Sequence, residues 1–464
     1  MRKQTTGMVS FDEVLEGGFP CERVSIVRGG HGAGKTVVAL NFLYQNALAG
    51  RPGVFVSFEE DAESIRLNAR SMGWDLERLE AEKQLAIIAL DVSPLLITSG
   101  DFDIGGSIAI IEHTAKSIGA ELLVVDAIDW LLSLFEQQKD RRRHLQVFHR
   151  AMRDAKFTTV LTVKDSIDEA DLLDYVADCV VRLDLRVERQ IAVRRLRVTK
   201  YRGSGFLSHE HPFIITNQGP KMLPVSGVSL TYDGLKKRVS TGNKVLDAHL
   251  GGGYFKGSCV ILAGGSGTGK TTLMATFAAA AGTAGDRVLY FSFEESENSL
   301  VCSMRSPGVD LETPVKSGHL ELKSSLPEAK GVDLQLSEIV EAMDRFQPDH
   351  ILIDAISSAE RMGSQQAAFD FQIRLFYLCK DRGVTCLCGY QARELSVANE
   401  IGRMDLSSLA ETVISLEQQF LESGFQRRLA IIKSRGTDHS DGLYPFQICS
   451  DGMEVNTESC AGHG

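Results

Sequence analysis

A glycine-rich phrase occurs twice in this chain of 464 residues, and it restricts the possible folds more than any other feature. The first copy reads GGHGAGKTVV over residues 29–38, and the second reads GGSGTGKTTL over residues 264–273. Both fit the pattern G-x-x-x-x-G-K followed by Ser or Thr, in which a strand turns into a helix through a loop that surrounds phosphate oxygens. Two such loops predict two P-loop domains in one chain.

Each phrase offers the same phosphate-binding and metal-binding groups. The glycines let backbone N–H groups approach a phosphate, the lysine adds a positive charge, and the hydroxyl after it reaches Mg²⁺. We therefore expect ATP and Mg²⁺ at both sites, with Thr36 and Thr271 among the metal ligands. The predicted ATP-binding residues are Gly29, Gly32, Gly34, Lys35 and Thr36 in the first copy and Gly264, Gly267, Gly269, Lys270, Thr271 and Thr272 in the second.

Other features recur at a nearly constant offset, which indicates an internal duplication. Lys35 and Lys270 lie 235 positions apart, and so do the ends of the stretches VFVSFEE and LYFSFEE. In each half, short runs rich in Val, Ile and Leu alternate with longer helical patterns, as in buried parallel strands connected by helices. We predict two tandem α/β domains, each with a mostly parallel sheet flanked by helices, over residues 1–225 and 226–464. The linker is predicted at residues 217–239, which are rich in Gly, Pro and Ser.

Acidic residues end two strand-like runs in each half. Asp126 follows LLVV and Asp354 follows ILI, and each is predicted to hold Mg²⁺, with simple capping of a strand as the alternative. A glutamate doublet ends another run, where a carboxylate can orient or deprotonate the group that attacks the γ-phosphate, with a solvated loop charge as the alternative. Adjacent acids repel each other, so one residue of each doublet is expected to act directly. The predicted catalytic doublets are Glu59 with Glu60 and Glu294 with Glu295.

A basic element, Lys-x-Arg, also occurs twice, as Lys200 with Arg202 and as Lys433 with Arg435. Alternation along a strand places both side chains on one face, about 7 Å apart. The loop lysine already serves the phosphates of its own domain, and in ring-shaped ATPases such a pair reaches the nucleotide of the neighbouring subunit as an arginine finger. The two pairs therefore predict nucleotide sites shared between copies of the chain, and hence an oligomer.

Composition argues against several other classes of protein. A net charge of −11 opposes non-specific binding of nucleic acid, and the basic stretch at 139–150 is typical of a solvated helix face, with a DNA-contacting pore lining as the alternative. No apolar run is long enough to span a membrane, and the first residues turn acidic where a signal peptide is apolar, so we expect a cytoplasmic protein. The nine cysteines lack paired spacing, which favours reduced, packed thiols.

These motifs together make the sequence similar to the KaiC family, the tandem RecA-like ATPases and autokinases of the cyanobacterial clock. The resemblance extends over roughly residues 3–455 and includes GWDLERL at 73–79, HPFIIT at 211–216 and RVSTGNKVLD at 238–247. It implies two RecA-like domains and a hexamer of two stacked rings with ATP between subunits. It also implies that the first half is a slow ATPase and that the second half phosphorylates itself.

The resemblance further implies which residues carry the phosphorylation. In DLSSLAETVISL, Ser407 and Ser408 stand at the two phosphoacceptor positions, with polar capping of the next strand as the alternative. The corresponding stretch of the first half, DLLDYVADCVVRL, has no hydroxyl there. Glu294 matches the family's catalytic glutamate, and Glu295 is expected to support it.

Two departures from the family change what is expected of this chain. His439 matches a nucleotide-binding histidine four residues beyond the finger arginine, whereas the first half has Phe206 at that position. The family's basic C-terminal tail, which a KaiA-like activator grasps, has no counterpart after DGMEVNTESCAGHG. We therefore expect a KaiB-like partner and no KaiA-like activator.

Two further functions are compatible with the same fold, because a fold does not fix a function. One is a nucleotide-dependent scaffold with little autokinase activity, whose ring presents a surface to a signalling partner. The other is a RecA-like or helicase-like motor whose ATPase is stimulated by DNA, which the acidic net charge disfavours. The expected function is ATP hydrolysis with serine autophosphorylation, acting in timekeeping or signalling.

Overall fold

The protein divides into two compact units, Met1–Ser226 and Gly227–Gly464. A computed structural model describes most of both units. The described residues are 1–90, 104–133, 135, 137–165, 173–174, 176–188, 191–222, 237–326, 330–361, 364–392, 409–421 and 424–459.

In the described part of the first unit, strands alternate with helices along the chain. The strands are β1 Lys3–Gln4, β2 Phe19–Pro20, β3 Val24–Gly29, β4 Gly53–Ser57, β5 Leu85–Ala89, β6 Leu122–Asp126, β7 Thr158–Lys164, β8 Cys179–Glu188, β9 Ile191–Tyr201, β10 His211–Thr216 and β11 Gly219–Met222. The helices are α1 Val9–Val14, α2 Lys35–Leu48, α3 Ala62–Arg70, α4 Leu76–Ala81, α5 Ile104–Ile118, α6 Ile128–Ser133 and α7 Gln138–Asp154.

The second unit repeats this alternation over its described residues. The strands are β12 Arg238–Val239, β13 Tyr254–Phe255, β14 Cys259–Gly264, β15 Val288–Ser292, β16 Leu320–Ser324, β17 His350–Asp354, β18 Thr385–Gln391, β19 Thr412–Leu421, β20 Gly424–Ser434, β21 Leu443–Cys449 and β22 Gly452–Val455. The helices are α8 Lys244–His249, α9 Lys270–Thr283, α10 Glu297–Arg305, α11 Glu312–Lys316, α12 Val332–Phe346 and α13 Gln365–Asp381, with a 3₁₀ helix at Ile356–Arg361.

Nine described strands of each unit form one sheet, and the two sheets have the same strand order. The order is β5-β4-β6-β7-β3-β8-β9-β10-β11 in the first unit and β16-β15-β17-β18-β14-β19-β20-β21-β22 in the second. The first six strands of each order are parallel, and the last three pair in antiparallel fashion. This topology confirms the prediction of two tandem RecA-like α/β domains.

Helices cover both faces of the central strands, because successive residues of a strand point to opposite faces. In β3, Val27 lies in one core cluster with Phe42 of α2, whereas Ile26 lies in a second cluster with Phe148 of α7. The basic stretch at 139–150 is therefore part of a helix that buries its apolar side chains and leaves its arginines at the surface. This arrangement matches the predicted solvated helix face.

Both ends of the predicted linker at 217–239 belong to strands, so that prediction was too long. Gly219–Met222 pairs with β10, and Arg238–Val239 pairs with β13. The guanidinium carbon of Arg238 lies 3.9 Å from the centroid of the Phe255 ring, which helps to hold its strand. Edge strands of two to four residues contain too few apolar side chains to be recognised from periodicity.

The described helices include none that is long and apolar enough to cross a membrane. Cys386 and Cys388 lie on one face of β18, with their Sγ atoms 3.5 Å apart. Both side chains are fully buried, and hydrogen bonds with the neighbouring thiols, together with burial, raise the pKa of Cys386 well above the usual range. These thiols therefore serve as packing groups in the core.

Candidate nucleotide sites

Each glycine-rich loop connects the end of a central strand to the first turn of a helix. In the first unit, β3 ends at Gly29 and α2 begins at Lys35. In the second unit, β14 ends at Gly264 and α9 begins at Lys270. The unpaired N–H groups and the positive dipole end of each helix therefore face the loop, as binding of a phosphate requires.

The loop glycines are required by backbone geometry. A Cβ atom at Gly29 would lie 2.3 Å from a carbonyl oxygen of β8, and one at Gly264 would lie 2.3 Å from a carbonyl oxygen of β19. Gly34 and Gly269, which precede the helices, have φ angles of 100° and 98°, in the region that favours glycine. The other loop glycines with left-handed φ are Gly32 and Gly267.

The lysine of each loop folds back over the loop itself. Lys35 Nζ donates to the carbonyl oxygens of the first two loop glycines at 2.9 and 3.0 Å. Lys270 Nζ makes the same two contacts at 2.9 and 2.7 Å. Burial lowers the pKa of both ammonium groups, and nearby carboxylates oppose this shift. The positive charge is thus held directly above the backbone that would surround a phosphate.

In the first unit, two hydroxyl groups hold the strand-end carboxylate. Thr36 Oγ1 donates to Oδ2 of Asp126 at 2.8 Å, and Thr162 Oγ1 of β7 donates to Oδ1. Burial raises the pKa of Asp126, while these two hydrogen bonds act in the opposite direction. The predicted metal ligands Thr36 and Asp126 are therefore in direct contact.

In the second unit, the equivalent carboxylate belongs to Asp354, which is buried. The phenol of Tyr290 donates to its Oδ2 at 2.9 Å, while its buried Oδ1 has no hydrogen-bond partner within the described part of the chain. Burial raises the pKa of Asp354, and the nearby hydroxyl groups of Thr271 and Tyr290 oppose this shift. Hydroxyl and carboxylate oxygens suit Mg²⁺, so the unpaired oxygen of Asp354 and the hydroxyl of Thr271 fit that ion. Thr272 is buried in the first turn of α9.

The two members of each glutamate doublet have different neighbours. The carboxylates of Glu60 and Glu295 accept hydrogen bonds from side chains of the following helices, at 3.1 and 2.9 Å. Partial burial raises the pKa of Glu59 and Glu294, and the strand-end aspartate of the same unit adds to the rise. Glu59 and Glu294 are the members whose charges act on the loop lysine, whereas the charge of Glu295 also raises the pKa of Asp354.

The Lys-x-Arg pair of the second unit lies toward the end of the sheet opposite the glycine-rich loop. Lys433 pairs with Val413, and Val413 pairs with Ile261, three residues before the loop begins at Gly264. The separation is about 10 Å along the strands and about 10 Å across two strands. Because β20 is antiparallel, Arg435 lies still further from the loop. The first unit repeats this arrangement, with Lys200 paired to Val180.

Both Lys-x-Arg pairs straddle a strand end rather than lying within a regular strand. One residue bulges out of the ladder just before each lysine, and the strands end at Tyr201 and Ser434. A bulge redirects the side chains that follow it, so alternation along the rest of the strand does not give the face on which each pair lies. Arg202 and Arg435 are exposed in the turns beyond the strands.

Two lysines fix the short segment that leads into β19. Lys433 Nζ donates to the carbonyl oxygen of Ala410 at 2.9 Å. Lys380 of α13 donates to the carbonyl oxygen of Leu409 at 2.6 Å and to Glu411 at 2.7 Å. In the first unit, Lys200 donates to the carbonyl oxygen of Asp174, five residues before β8 begins at Cys179.

Three further predicted positions complete the description of the sites. Ser407 and Ser408 lie outside the described residues. The ring of His439 donates through Nδ1 to the carbonyl oxygen of Ser440 at 3.0 Å, whereas Phe206 packs against the apolar core of the first unit. The two halves therefore differ physically at this position.

Some residues of the sites were missed in the sequence. Thr162 and Tyr290 donate to the strand-end aspartates, and nothing in the sequence shows which strands are neighbours. Ser57 and Ser292 accept from the backbone N–H of the second glutamate of each doublet, at 3.0 and 2.9 Å. Their recurrence in VSFEE and FSFEE was the signal that could have identified them.

Comparisons with known proteins agree with this geometry. The family model described as ATPase: KaiC matches residues 4–226 and again residues 239–459. The circadian clock protein KaiC2 of Synechocystis sp. is 33% identical over 470 residues, which cover 100% of this chain and 82% of that protein. The circadian clock oscillator protein KaiC of Parathermosynechococcus lividus is 32% identical over 462 residues, covering 98% of this chain and 85% of that protein. The circadian clock protein KaiC3 of Synechocystis sp. is 28% identical, with 98% and 92% covered.

Proposed function

Because the chain belongs to the KaiC family of ATPases, we propose that its first half hydrolyses ATP slowly and its second half phosphorylates Ser407 or Ser408, within a ring of six copies. The second half contains the loop lysine, the strand-end aspartate and the adjacent glutamate that phosphoryl transfer requires. A role in timekeeping or signalling, with a KaiB-like partner, is part of the same proposal.

The observation that carries the proposal is the separation of the glycine-rich loop from the Lys-x-Arg pair of the same unit. The loop lies about 10 Å from the Lys-x-Arg pair along the strands and about 10 Å from it across them. A lysine or arginine side chain cannot reach that far while it also contacts the backbone of its own copy. Arg435 is exposed at that end of the sheet. The finger arginine that contacts a nucleotide bound at the loop of one copy must therefore come from an adjacent copy.

Leu409 and Ala410, which follow the candidate acceptor serines, support transfer of the phosphoryl group between copies. Ser408 directly precedes Leu409 in the sequence, and Leu409 and Ala410 are held by Lys380 and Lys433. The same Lys433 belongs to the Lys-x-Arg pair. A single edge of one copy can therefore present both the finger arginine and the acceptor segment to the nucleotide of its neighbour.

The cofactor and the loop have separate tasks in the proposed site. Thr271 and Asp354 would hold Mg²⁺, which neutralises charge on the phosphates when it is bound. The loop N–H groups and Lys270 bind the phosphates of ATP, which fixes the γ-phosphate at the amino end of α9. In the first half, Lys35, Thr36 and Asp126 have the corresponding tasks.

In the proposed phosphorylation, the serine Oγ attacks the γ-phosphorus while Glu294 accepts the hydroxyl proton. A new O–P bond forms, the bond from phosphorus to the bridging oxygen breaks, and ADP leaves. Arg435 of the adjacent copy stabilises the negative charge on the transferred group. In the first half, water replaces the serine, and Glu59 and Arg202 have the corresponding roles, which yields ADP and phosphate.

Phosphopeptide mapping of the full chain after incubation with ATP and Mg²⁺ tests the proposal. We expect phosphate on Ser407 or Ser408, and none in a Lys270→Ala variant. The matched variant Lys35→Ala should lose most steady ADP release and still be phosphorylated. A wild-type chain that binds ATP and hydrolyses it without any phosphate at these serines would contradict the autokinase proposal and favour the scaffold.

A further inference from the structure

The carboxylates of the two candidate metal sites obtain their hydroxyl partners from different strands. Asp126 receives one from Thr162, on β7 to one side of its own strand. Asp354 receives one from Tyr290, on β15 to the other side. Neither hydroxyl has a counterpart in the other unit. The first unit has Phe55 at the position of Tyr290, and the second unit has Gly389 at the position of Thr162.

The side chains that pack around the two aspartates also differ between the units. A Cβ atom at Gly389 would lie 2.7 Å from Oδ1 of Asp354 and 3.2 Å from the sulfur of Met274. The residue equivalent to Met274 in the first unit is Ala39, whose smaller side chain leaves room for a threonine. All of these positions are buried, so three core residues differ in a coordinated way. A coordinated difference of this kind preserves, for each carboxylate, one hydroxyl donor from a neighbouring strand.

We propose that Tyr290 is a positioning residue of the second site, whose phenol holds the Asp354 carboxylate through Oδ2 and so fixes its orientation toward Mg²⁺ or the water of that ion. This inference rests on the proposed function, because it assumes that Mg²⁺ and nucleotide bind at both sites. In the first site, Thr162 holds the Asp126 carboxylate through Oδ1, from the neighbouring strand on the opposite side.

A phenol in a buried strand is well suited to this task. Tyr290 is fully buried between its neighbouring strands, so its ring has little freedom to turn away from the carboxylate. A hydrogen bond to a charged group contributes more than one between neutral groups, and its loss would weaken binding of a metal at this site about tenfold. The Tyr290→Phe substitution removes only the hydroxyl and leaves the ring that the first unit has at Phe55.

Binding of Mn²⁺ in the presence of a non-hydrolysable ATP analogue, followed by electron paramagnetic resonance of the full chain, tests the inference without relying on turnover. We expect two sites per chain in the wild type. Tyr290→Phe should weaken one site about tenfold and leave the other within twofold. The matched variant Thr162→Val should weaken the other site.

A rescue variant separates positioning from a loss of packing. Tyr290→Phe combined with Met274→Ala and Gly389→Thr rebuilds the arrangement of the first site, and we expect it to restore affinity to within about threefold. Unchanged affinity at both sites in Tyr290→Phe would overturn the inference, and so would failure of the triple variant to restore it. A wild-type chain that binds no Mn²⁺ with nucleotide at either site would instead contradict the proposed function on which the inference rests.

Discussion

The two glutamates of the doublet in the second half should respond very differently to the same substitution. Glu294 lies close enough to Asp354 and Lys270 for their charges to affect its pKa, whereas Glu295 accepts a hydrogen bond from Ser299 on α10. Glu294→Gln replaces the proton acceptor by an amide that cannot take a proton. Glu295→Gln keeps an oxygen that can still accept from Ser299.

The expected effects follow from these contacts. A positioned general base contributes roughly 10²-fold to 10⁴-fold to a rate, so Glu294→Gln should slow phosphorylation of Ser407 or Ser408 by at least about 100-fold. Glu295→Gln should change the rate by less than about threefold, because only a hydrogen bond near the surface is altered. The two variants have the same change in charge, so each controls for the electrostatic effect of the other.

Single-turnover phosphorylation with γ-labelled ATP, followed by peptide mapping, measures both rates. Affinity for a fluorescent ATP analogue should stay within about threefold of the wild type in both variants, which separates chemistry from binding. Equal losses in the two variants, or a larger loss in Glu295→Gln, would refute the assignment of Glu294 as the base. The same comparison between Glu59 and Glu60 applies to ATP hydrolysis in the first half.

Two other substitutions test features of the second half. Lys380→Ala removes the hydrogen bonds to Leu409 and Glu411. Phosphorylation should therefore fall about tenfold in a phosphopeptide assay, while ATP hydrolysis by the first half stays unchanged. Equal loss of both activities would contradict a role of Lys380 in holding the segment that follows the acceptor serines. Burial lowers the pKa of His350, so the unfolded chain binds a proton that the folded chain does not, and stability should be lost as pH falls below about 6.5. In urea unfolding between pH 7.5 and 5.5, His350→Gln should reduce the loss of unfolding free energy on acidification. A pH dependence of the unfolding free energy equal to that of the wild type would contradict this role of His350.

Much of the fold followed from local signals in the sequence. The loop phrases gave the position of β3 with α2 and of β14 with α9, because a strand, a glycine turn and a helix are contiguous in the chain. The offset between the halves predicted one topology repeated twice. The short edge strands at Gly219–Met222 and Arg238–Val239 were missed because their pairing depends on distant partners.

The candidate sites were predictable only where one segment supplies the chemistry. Sequence reasoning predicted that one member of each glutamate doublet acts directly, but the contacts of Glu60 and Glu295 with the following helices were needed to distinguish the members. Tyr290 and Thr162 could not be found, because their roles depend on which strands are neighbours. The bulge before Lys433 likewise results from pairing between strands and leaves no local signal.

Mixing two inactive variants tests most directly whether each site is completed by an adjacent copy. Arg435→Ala keeps the loop and loses the finger arginine, whereas Lys270→Ala loses the loop lysine and keeps the arginine and the acceptor serines. Each variant alone should remain unphosphorylated. In a mixed ring, the account predicts renewed phosphorylation, with the phosphate found on the Lys270→Ala copies. Renewed phosphorylation confined to the Arg435→Ala copies, or none at all in rings shown to contain both variants, would contradict it.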